Sequence, residues 1–438
     1  MATTFSYAER QTMKSRMAYV SPVFLCSLLL AAPASGWEKY GIHSIYPVAI
    51  GVQVKPSALS NDDLKRIKKA GFEYLRFGIR PPIAAVTKSM PDYSALLTQI
   101  HNAQLKPIVT LFGGVDVWGG QKLESRMVRT PRESADKFAA FALDTLRQYA
   151  DPDILWELWN EPDDPTFLRP GLLQSGLLPS IQTICAALKG DGQQQGLSRK
   201  KLFGFGFSKM PNLTPDSIGN QLLAASLENC LDGVSVHPYR NIPETVIDDA
   251  QQTRSLMQQH GRAELPMIAS EWGYSSFTAT RDQDVQAELI LREYLSAAFA
   301  NIPLLNIYEW KDSGTDPTAI EHNYGLVDND DRPKQALLAL SYLLSKLEHT
   351  QLVASNKDGS AYQLTLTSQA GVKERRTVYM LWTSASRKGR PFSIQRNGAK
   401  RCVISQFHPQ QSDTPCPGNG ETIEVSAGSV PVAVTLYF

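Results

Sequence analysis

Eight times between residues 48 and 314, a short run of β-branched and aromatic residues ending in glycine or a polar residue gives way to an amphipathic stretch. The runs occupy 48–55, 74–80, 106–113, 154–161, 202–208, 233–239, 266–274 and 304–311. Between them the spacing turns helical. Residues 61–70, Asn-Asp-Asp-Leu-Lys-Arg-Ile-Lys-Lys-Ala, stop at Gly71, and 134–149 carry apolar residues three and four apart. Strand alternating with helix eight times predicts an α/β chain folded as a (β/α)8 TIM barrel. An open doubly wound sheet has less support, because no Gly-x-Gly-x-x-Gly turn follows the first run.

The pattern changes after a last helical stretch that begins near Pro333 and ends near Leu347. Segments beginning at Ala361, Thr377, Cys402, Glu421 and Pro431 alternate apolar and polar residues with period two, separated by turn residues, which predicts a small C-terminal antiparallel β-sandwich. Residues 37–47 precede the first barrel strand and are candidates to pair with that sandwich. At the other end, Lys14 and Arg16 precede an apolar run over 20–32 and then Ala-Pro-Ala-Ser-Gly, the pattern of a secretory signal. The expected division is therefore 1–36 signal peptide, 37–347 barrel and 348–438 sandwich.

Export to a secreted or periplasmic location agrees with the cysteines. Removing Cys26 with the signal leaves four, and pairing Cys185 with Cys230 and Cys402 with Cys416 keeps each bridge inside one expected domain, although four cysteines allow three connectivities. No later segment is apolar enough to span a membrane, so no integral membrane span is expected after signal cleavage. With 44 Lys+Arg against 43 Asp+Glu, a formal charge of +1, there is no electrostatic case for nucleic acid as a partner. The basic stretches 65–69 and 373–376 read as exposed faces. A monomer acting on a neutral or weakly charged partner is expected.

Barrel enzymes place reactive groups at the C-terminal ends of their strands. The fourth run ends Trp-Glu-Leu-Trp-Asn160-Glu161-Pro162-Asp163, where Pro162 turns the chain outward and leaves Glu161 at the mouth with Asn160 beside it. The seventh ends Ser-Glu271-Trp272-Gly, on a strand across the barrel. Two carboxyl groups facing one pocket suit glycosidic cleavage, in which one is protonated to assist the leaving oxygen while the other is ionised to attack the anomeric carbon. Neither a metal-ligand cluster nor a phosphate-gripping glycine loop accompanies them, so no cofactor and no metal are expected.

Trp159-Asn160-Glu161-Pro162 together with Glu271-Trp272-Gly273 resembles clan A of the retaining glycoside hydrolases. The resemblance covers the whole barrel and is nearest to family 39, with family 5 as the neighbour. It implies Glu161 as general acid/base, Glu271 as nucleophile and Asn160 as partner of the sugar 2-hydroxyl. It further implies that Arg76, in Tyr-Leu-Arg-Phe, holds the nucleophile ionised, that His237 and Tyr239, in Val-His-Pro-Tyr, support the pair with Tyr239 donating to Glu271, and that Trp310, in Ile-Tyr-Glu-Trp, is the platform under the sugar. Trp118 and Tyr274 are candidate subsite walls. Three alternatives stand beside these roles: Arg76 can instead neutralise a buried carboxylate such as Glu157, Arg80 can take its role from the same strand face, and His237 can be a satisfied core histidine. Glu309 and Asp312 read as solvated or salt-bridged. The chain departs from the cellulase-like members on the third strand, where Thr110-Leu-Phe-Gly-Gly114 stands in place of a clan histidine.

The expected activity is that of a retaining β-glycoside hydrolase cleaving an extracellular or periplasmic polysaccharide by double displacement, with the two carboxyl groups about 5–5.5 Å apart. Mostly short strand-to-helix connections favour an open cleft and endo-acting cleavage, with an exo-acting β-xylosidase-like enzyme as the alternative. A transglycosylase and a non-catalytic carbohydrate-binding protein are the readings from other classes.

Overall fold

The computed structural model describes residues 36–81, 92–112, 131–149, 151–168, 171–189, 197, 200–278, 282–384, 388–418 and 420–438. Trp118 and the expected signal segment up to residue 35 lie outside the described residues. Eight parallel strands close into a barrel in chain order: β1 (Ala49–Gln53), β2 (Tyr74–Ile79), β3 (Lys106–Leu111), β4 (Leu155–Leu158), β5 (Lys201–Phe207), β6 (Gly233–Val236), β7 (Met267–Trp272) and β8 (Leu304–Ile307). Each is followed by a helix: α1 (Asn61–Lys69), α2 (Ser94–Asn102), α3 (Pro131–Gln148), α4 (Leu178–Lys189), α5 (Ile218–Ser226), α6 (Val246–Gln259), α7 (Gln283–Phe299) and α8 (Gln335–Leu347). The strands are almost wholly buried on both faces, which is why they read as continuous apolar runs rather than as alternating ones.

Several strands are shorter than the runs that announced them. β4 ends at Leu158, β6 at Val236 and β8 at Ile307. The chemistry-bearing residues at 159–161, 237–239 and 308–312 therefore sit just past strand ends, in the connections that form the barrel mouth. There the backbone is no longer bound to strand geometry: Trp159 and Glu161 take positive φ of 73° and 50°, a left-handed conformation uncommon for non-glycine residues and concentrated at functional sites.

The C-terminal part has more strands than the five expected: β9 (Thr350–Asp358), β10 (Ala361–Ser368), β11 (Arg376–Thr383), β12 (Arg390–Gln395), β13 (Arg401–Gln406), β14 (Ser412–Pro415), β15 (Thr422–Ala427) and β16 (Val432–Tyr437). Six of them form one antiparallel sheet in the order β14-β13-β16-β11-β10-β9, and β12 pairs with β15 in a second, two-stranded sheet. The two layers are thus unequal. One face of the large sheet, with Tyr362, Leu364, Val378, Met380 and Trp382, joins the barrel core. Its other face, with Leu381, Val434 and Leu436, is covered by Ile394, Ile423 and Val425 of the small sheet.

Residues 37–47 run across the N-terminal end of the barrel rather than adding a strand to the sheet. The His43 amide donates to the Tyr74 hydroxyl (2.8 Å), Ser44 donates to Glu73 (2.6 Å), and a bond from the His349 amide to the Ile45 carbonyl (2.6 Å) ties the segment to the start of β9. Both expected disulfides are present. Cys185 on α4 is bonded to Cys230 after α5, and Cys402 on β13 to Cys416 after β14.

Candidate active site

The site is built around one arginine. Arg76 projects from β2 into the barrel, 2% exposed, and its planar fork reaches five partners, of which His237 is described below. Nε and Nη2 donate to Glu157 Oε2 (3.0 and 2.6 Å), Nη1 to Glu271 Oε2 (2.6 Å) and to Gln53 Oε1 (2.9 Å), and Nη2 also to Asn160 Oδ1 (3.1 Å). Burial works against its charge, yet the carboxylates of Glu157 and Glu271 outweigh it and hold the guanidinium well above its ordinary pKa. The two roles set against each other in the sequence are both filled: Arg76 neutralises Glu157 and also holds Glu271. Arg80 takes no part in this, its guanidinium lying over the Phe112 ring at 4.1 Å.

Glu157 is the buried anchor, and sequence reasoning gave it only a neutralising part. Its inward position on β4 faces Thr110 in the β3–β4 register, and Thr110 Oγ1 donates to Glu157 Oε2 (2.7 Å) while Ser270 Oγ donates to Oε1. The residue standing where the clan has a histidine is therefore a hydrogen-bond donor to this anchor. Burial pushes the Glu157 carboxyl up, but the Arg76 charge and the donors from His237 and Ser270 overcome it and hold the group far below the usual carboxylate range.

Glu271, at the end of β7, is held at both oxygens. Arg76 occupies Oε2, and the Tyr239 hydroxyl donates to Oε1 (3.0 Å). Burial and the adjacent Glu271 charge keep the Tyr239 phenol well above its ordinary pKa, so it remains a donor. A carboxylate that accepts two strong donors and still exposes 16% of its side chain is fixed in orientation and open to a substrate. A carboxylate oxygen of Glu161 and one of Glu271 lie within 4.8 Å of each other, the close spacing that lets one of them attack directly.

Glu161 is set by its backbone and by His237. Its amide donates to the Gly206 carbonyl (3.0 Å), and two residues on, Asp163 accepts from the Ser208 and Lys209 amides (3.0 and 2.7 Å), clamping this loop to the one after β5. The clamp was legible only as an aspartate next to a turning proline. Gly206, with φ of 61°, is required here: a Cβ would fall 2.7 Å from His237 Nε2 and 3.2 Å from Glu157 Oε1.

His237 is fully buried, with Nδ1 2.8 Å from Glu161 Oε1 and Nε2 3.3 Å from Arg76 Nη2. A guanidinium only donates, so in the neutral ring Nε2 accepts from Arg76 and Nδ1–H donates to Glu161. Burial opposes a charge on the ring, but Glu271, Glu157 and Glu161 outweigh it, and its pKa is pushed up to about 9. Three carboxyl groups stand against one fixed positive charge, so the cluster favours one further proton, which the His237 ring carries. Glu161, His237 and Glu271 also lie within ligand distance of one another. Both oxygens of Glu271 are already engaged and the Arg76 charge adjoins it, so a cation there would have to displace these partners.

The structure brings Glu161, Glu271, Asn160, Arg76, His237 and Tyr239 together. It does not bring Trp310 or Tyr274. β8 ends at Ile307, so two-residue alternation does not carry to 310, and Trp310 is 3% exposed with Nε1 donating to Asp63 Oδ1 (2.9 Å). Asp63 is the third residue of the Ser60 capping box that starts α1, so a helix cap draws the indole away from the mouth. Tyr274 is 1% exposed, its ring beside that of Trp272, and offers no wall to a ligand. Among the described residues, Tyr308 and Tyr324 pack edge to face at 5.3 Å, with Tyr239 against Tyr324 at 6.3 Å. Glu309 and Asp312 are salt-bridged and buried: Glu309 with Lys55 (3.2 Å) and Asp312 with Lys334 (2.7 Å).

A carboxylate after β4, another at the end of β7 and a buried arginine on β2 that holds the second are thus gathered at one end of the barrel. No protein-family model matches the chain, and no curated protein matches it in sequence. Among solved structures, the fold is shared with a family 39 glycoside hydrolase from the gut symbiont Bacteroides cellulosilyticus WH2, at 20% identity and TM-score 0.71 over 90% of this chain and 81% of that one. It is shared also with a monomeric β-xylosidase from Caulobacter crescentus CB15, at 13% identity and TM-score 0.58 over 94% and 98%, and with the family 39 enzyme from Xanthomonas axonopodis pv. citri, at 14% and 0.56 over 90% and 94%. At these identities the likeness is one of fold.

Proposed function

We propose that this protein is a retaining β-glycoside hydrolase that cleaves a polysaccharide by double displacement. The observation that carries the reading is Glu271 held at both oxygens by Arg76 and Tyr239, with Glu161 within 4.8 Å and hydrogen-bonded to His237. In the first step a Glu271 oxygen attacks the anomeric carbon while Glu161 gives its proton to the departing glycosidic oxygen, leaving the sugar as an ester of Glu271. In the second, Glu161 takes a proton from water, the resulting hydroxide attacks the same carbon, and the Glu271 carboxylate departs. Arg76 and Tyr239 stabilise the Glu271 carboxylate as it departs, and His237 positions Glu161 through the Nδ1 contact while water restores the Glu161 proton.

Asn160, whose Oδ1 accepts from Arg76, presents its amide nitrogen to the sugar 2-hydroxyl. Tyr308 takes the platform role expected of Trp310, because it is half-buried at the mouth and close enough to Glu271 to feel its charge. The catalytic unit spans 37–347 and the sheet unit 348–438, with 1–36 removed on export; the two disulfides fit an oxidising compartment. No helix among the described residues is long and apolar enough to cross a membrane. The cleavage is endo-acting, a reading supported by the short connections after β1 and β6.

Proton NMR of the first-formed product tests the mechanism: retention requires the β-anomer to appear before mutarotation. Product sizing on the same samples tests the mode, with a ladder of oligosaccharides expected and early monosaccharide release opposing it. Binding without turnover would leave only a carbohydrate-binding protein.

A further inference from the structure

Beside the carboxylate pair, at the meeting of β1 and β8, stands a second polar cluster that the chemistry above does not use. Glu309 is 1% exposed and accepts from Ser313 Oγ on Oε1, while Lys55 Nζ lies 3.2 Å from Oε2 and also donates to Ser313 Oγ. Burial pushes the Glu309 carboxyl up, Ser313 and Lys55 draw it down, and Glu271 is near enough to raise it further. The cluster adjoins the nucleophile by a second route: Gln53, two residues before Lys55, accepts from the same Arg76 Nη1 that holds Glu271.

Lys55 differs from four other cations among the described residues. Arg76 is buried and its donors are taken up, Arg240 is paired with Asp249, Lys311 with Asp331, and Lys334 is buried against Asp312. The Lys55 side chain is 49% exposed. An ammonium has three N–H donors. Ser313 and Glu309 engage two, which restrains an otherwise flexible side chain and leaves the third for a ligand on its exposed side.

Resting on the hydrolase reading, we infer that Lys55 is a specificity-determining residue that donates a hydrogen bond to a hydroxyl of a neutral sugar bound next to the nucleophile, and that Glu309 sets this preference by balancing its charge. A uronate at this position would bring a further carboxylate toward Glu309 and Glu271, while Lys55 is already balanced by Glu309, and like charges at short range disfavour binding. A neutral hydroxyl needs only the donor.

The test is calorimetric binding of cellohexaose, xylohexaose and C6-oxidised, uronate-bearing cellohexaose to the Glu161→Gln protein, alone and combined with Lys55→Met or Glu309→Gln, alongside turnover of the same ligands by wild type. The result expected is binding of a neutral oligosaccharide well above the oxidised one, roughly tenfold weaker binding in Lys55→Met, the scale of one hydrogen bond to a charged donor, and a shift toward the oxidised ligand in Glu309→Gln, where the ammonium is no longer balanced. That shift in preference is one that a folding defect cannot produce. Unchanged binding in Lys55→Met, or a parent that prefers the oxidised ligand, overturns the inference and leaves the hydrolase reading intact. Binding that follows the expected pattern without wild-type turnover overturns the hydrolase reading and leaves the role of Lys55.

Discussion

Two buried arginines in this molecule use the same pairing to opposite ends. Arg76 in the barrel mouth and Arg292 on α7 are 2% and 4% exposed, and each places two donors on a buried glutamate, Glu157 and Glu244 respectively. At the seam between barrel and large sheet the arrangement is closed: Trp382 of β11 donates to Glu244 (2.8 Å), and Arg292 also donates to the Ser384 carbonyl (3.3 Å). Each arginine also turns Nη1 toward a second carboxylate, Arg292 to Glu288 at 3.5 Å and Arg76 to the more exposed Glu271 at 2.6 Å. The difference lies in how that second partner is held: Glu271 is gripped at 2.6 Å and takes the Tyr239 hydroxyl on its other oxygen, while Glu288 stands 3.5 Å from its arginine. The seam arginine ties sheet to barrel, and the mouth arginine fixes a partly exposed carboxylate in one orientation.

The comparison can be broken most severely at Glu271. Glu271→Gln keeps the volume and the contacts to Arg76 and Tyr239 but removes the nucleophile, and turnover is expected to fall by about 10⁴-fold or more, the scale of losing a member of a catalytic constellation. Steady-state assay with active-site titration measures it. Glu161→Gln follows, with a loss of about 10²–10⁴-fold that shrinks on substrates whose leaving group needs no proton.

The arginines themselves sharpen the contrast. Removing one partner of a buried ion pair costs about 3–5 kcal/mol, so Arg76→Met and Arg292→Met are both expected to lower the urea midpoint strongly. Only Arg76→Met is expected to depress kcat per folded molecule as well. Equal kcat losses in the two variants would erase the distinction. Trp382→Phe, which removes one donor from Glu244 while keeping the ring, is expected to cost only about 1 kcal/mol and to leave kcat unchanged.

A smaller effect tests the proton on His237. The pKa of His237 is raised on folding from 6.5 to about 9, so its contribution to stability is fully present below pH 6.5 and is lost as pH rises through the folded value. Glu157 acts with the opposite sign: its depressed pKa contributes above the usual carboxylate range and is lost in acid. Wild-type stability is therefore expected to decline between pH 6.5 and about 9, and His237→Gln is expected to flatten that decline without altering the acid limb, as read from urea midpoints across pH.

The parts of this site that were legible in the sequence are those that a strand end displays. Glu161 follows a turning proline motif, Glu271 ends an apolar run, and Arg76, His237 and Tyr239 lie within or just past short strands whose spacing is unmistakable. What failed did so where tertiary contacts outweigh local pattern. Trp310 received its platform role by resemblance, on a strand read as running to 311, whereas β8 ends at Ile307 and the capping aspartate of α1 takes the indole. Tyr274 faces the packed side of β7 and α7, which periodicity alone cannot distinguish from a wall of the cleft. The fuller part of Glu157 was recoverable, since alternation along β4 points it inward beside Thr110. In the C-terminal region, β9, β12 and β14 were missed because exposed edge and cover strands carry few buried residues and so little alternation.

The central claim is that Glu271 becomes covalently bonded to sugar during turnover. Mass spectrometry of the intact protein and its peptides after exposure to a panel of 2-deoxy-2-fluoro β-glycosides addresses it directly. The account predicts one added glycosyl group, located on the peptide that contains Glu271 and absent in Glu271→Gln. An adduct on another residue, or turnover of these compounds with no adduct formed at any time, would contradict it.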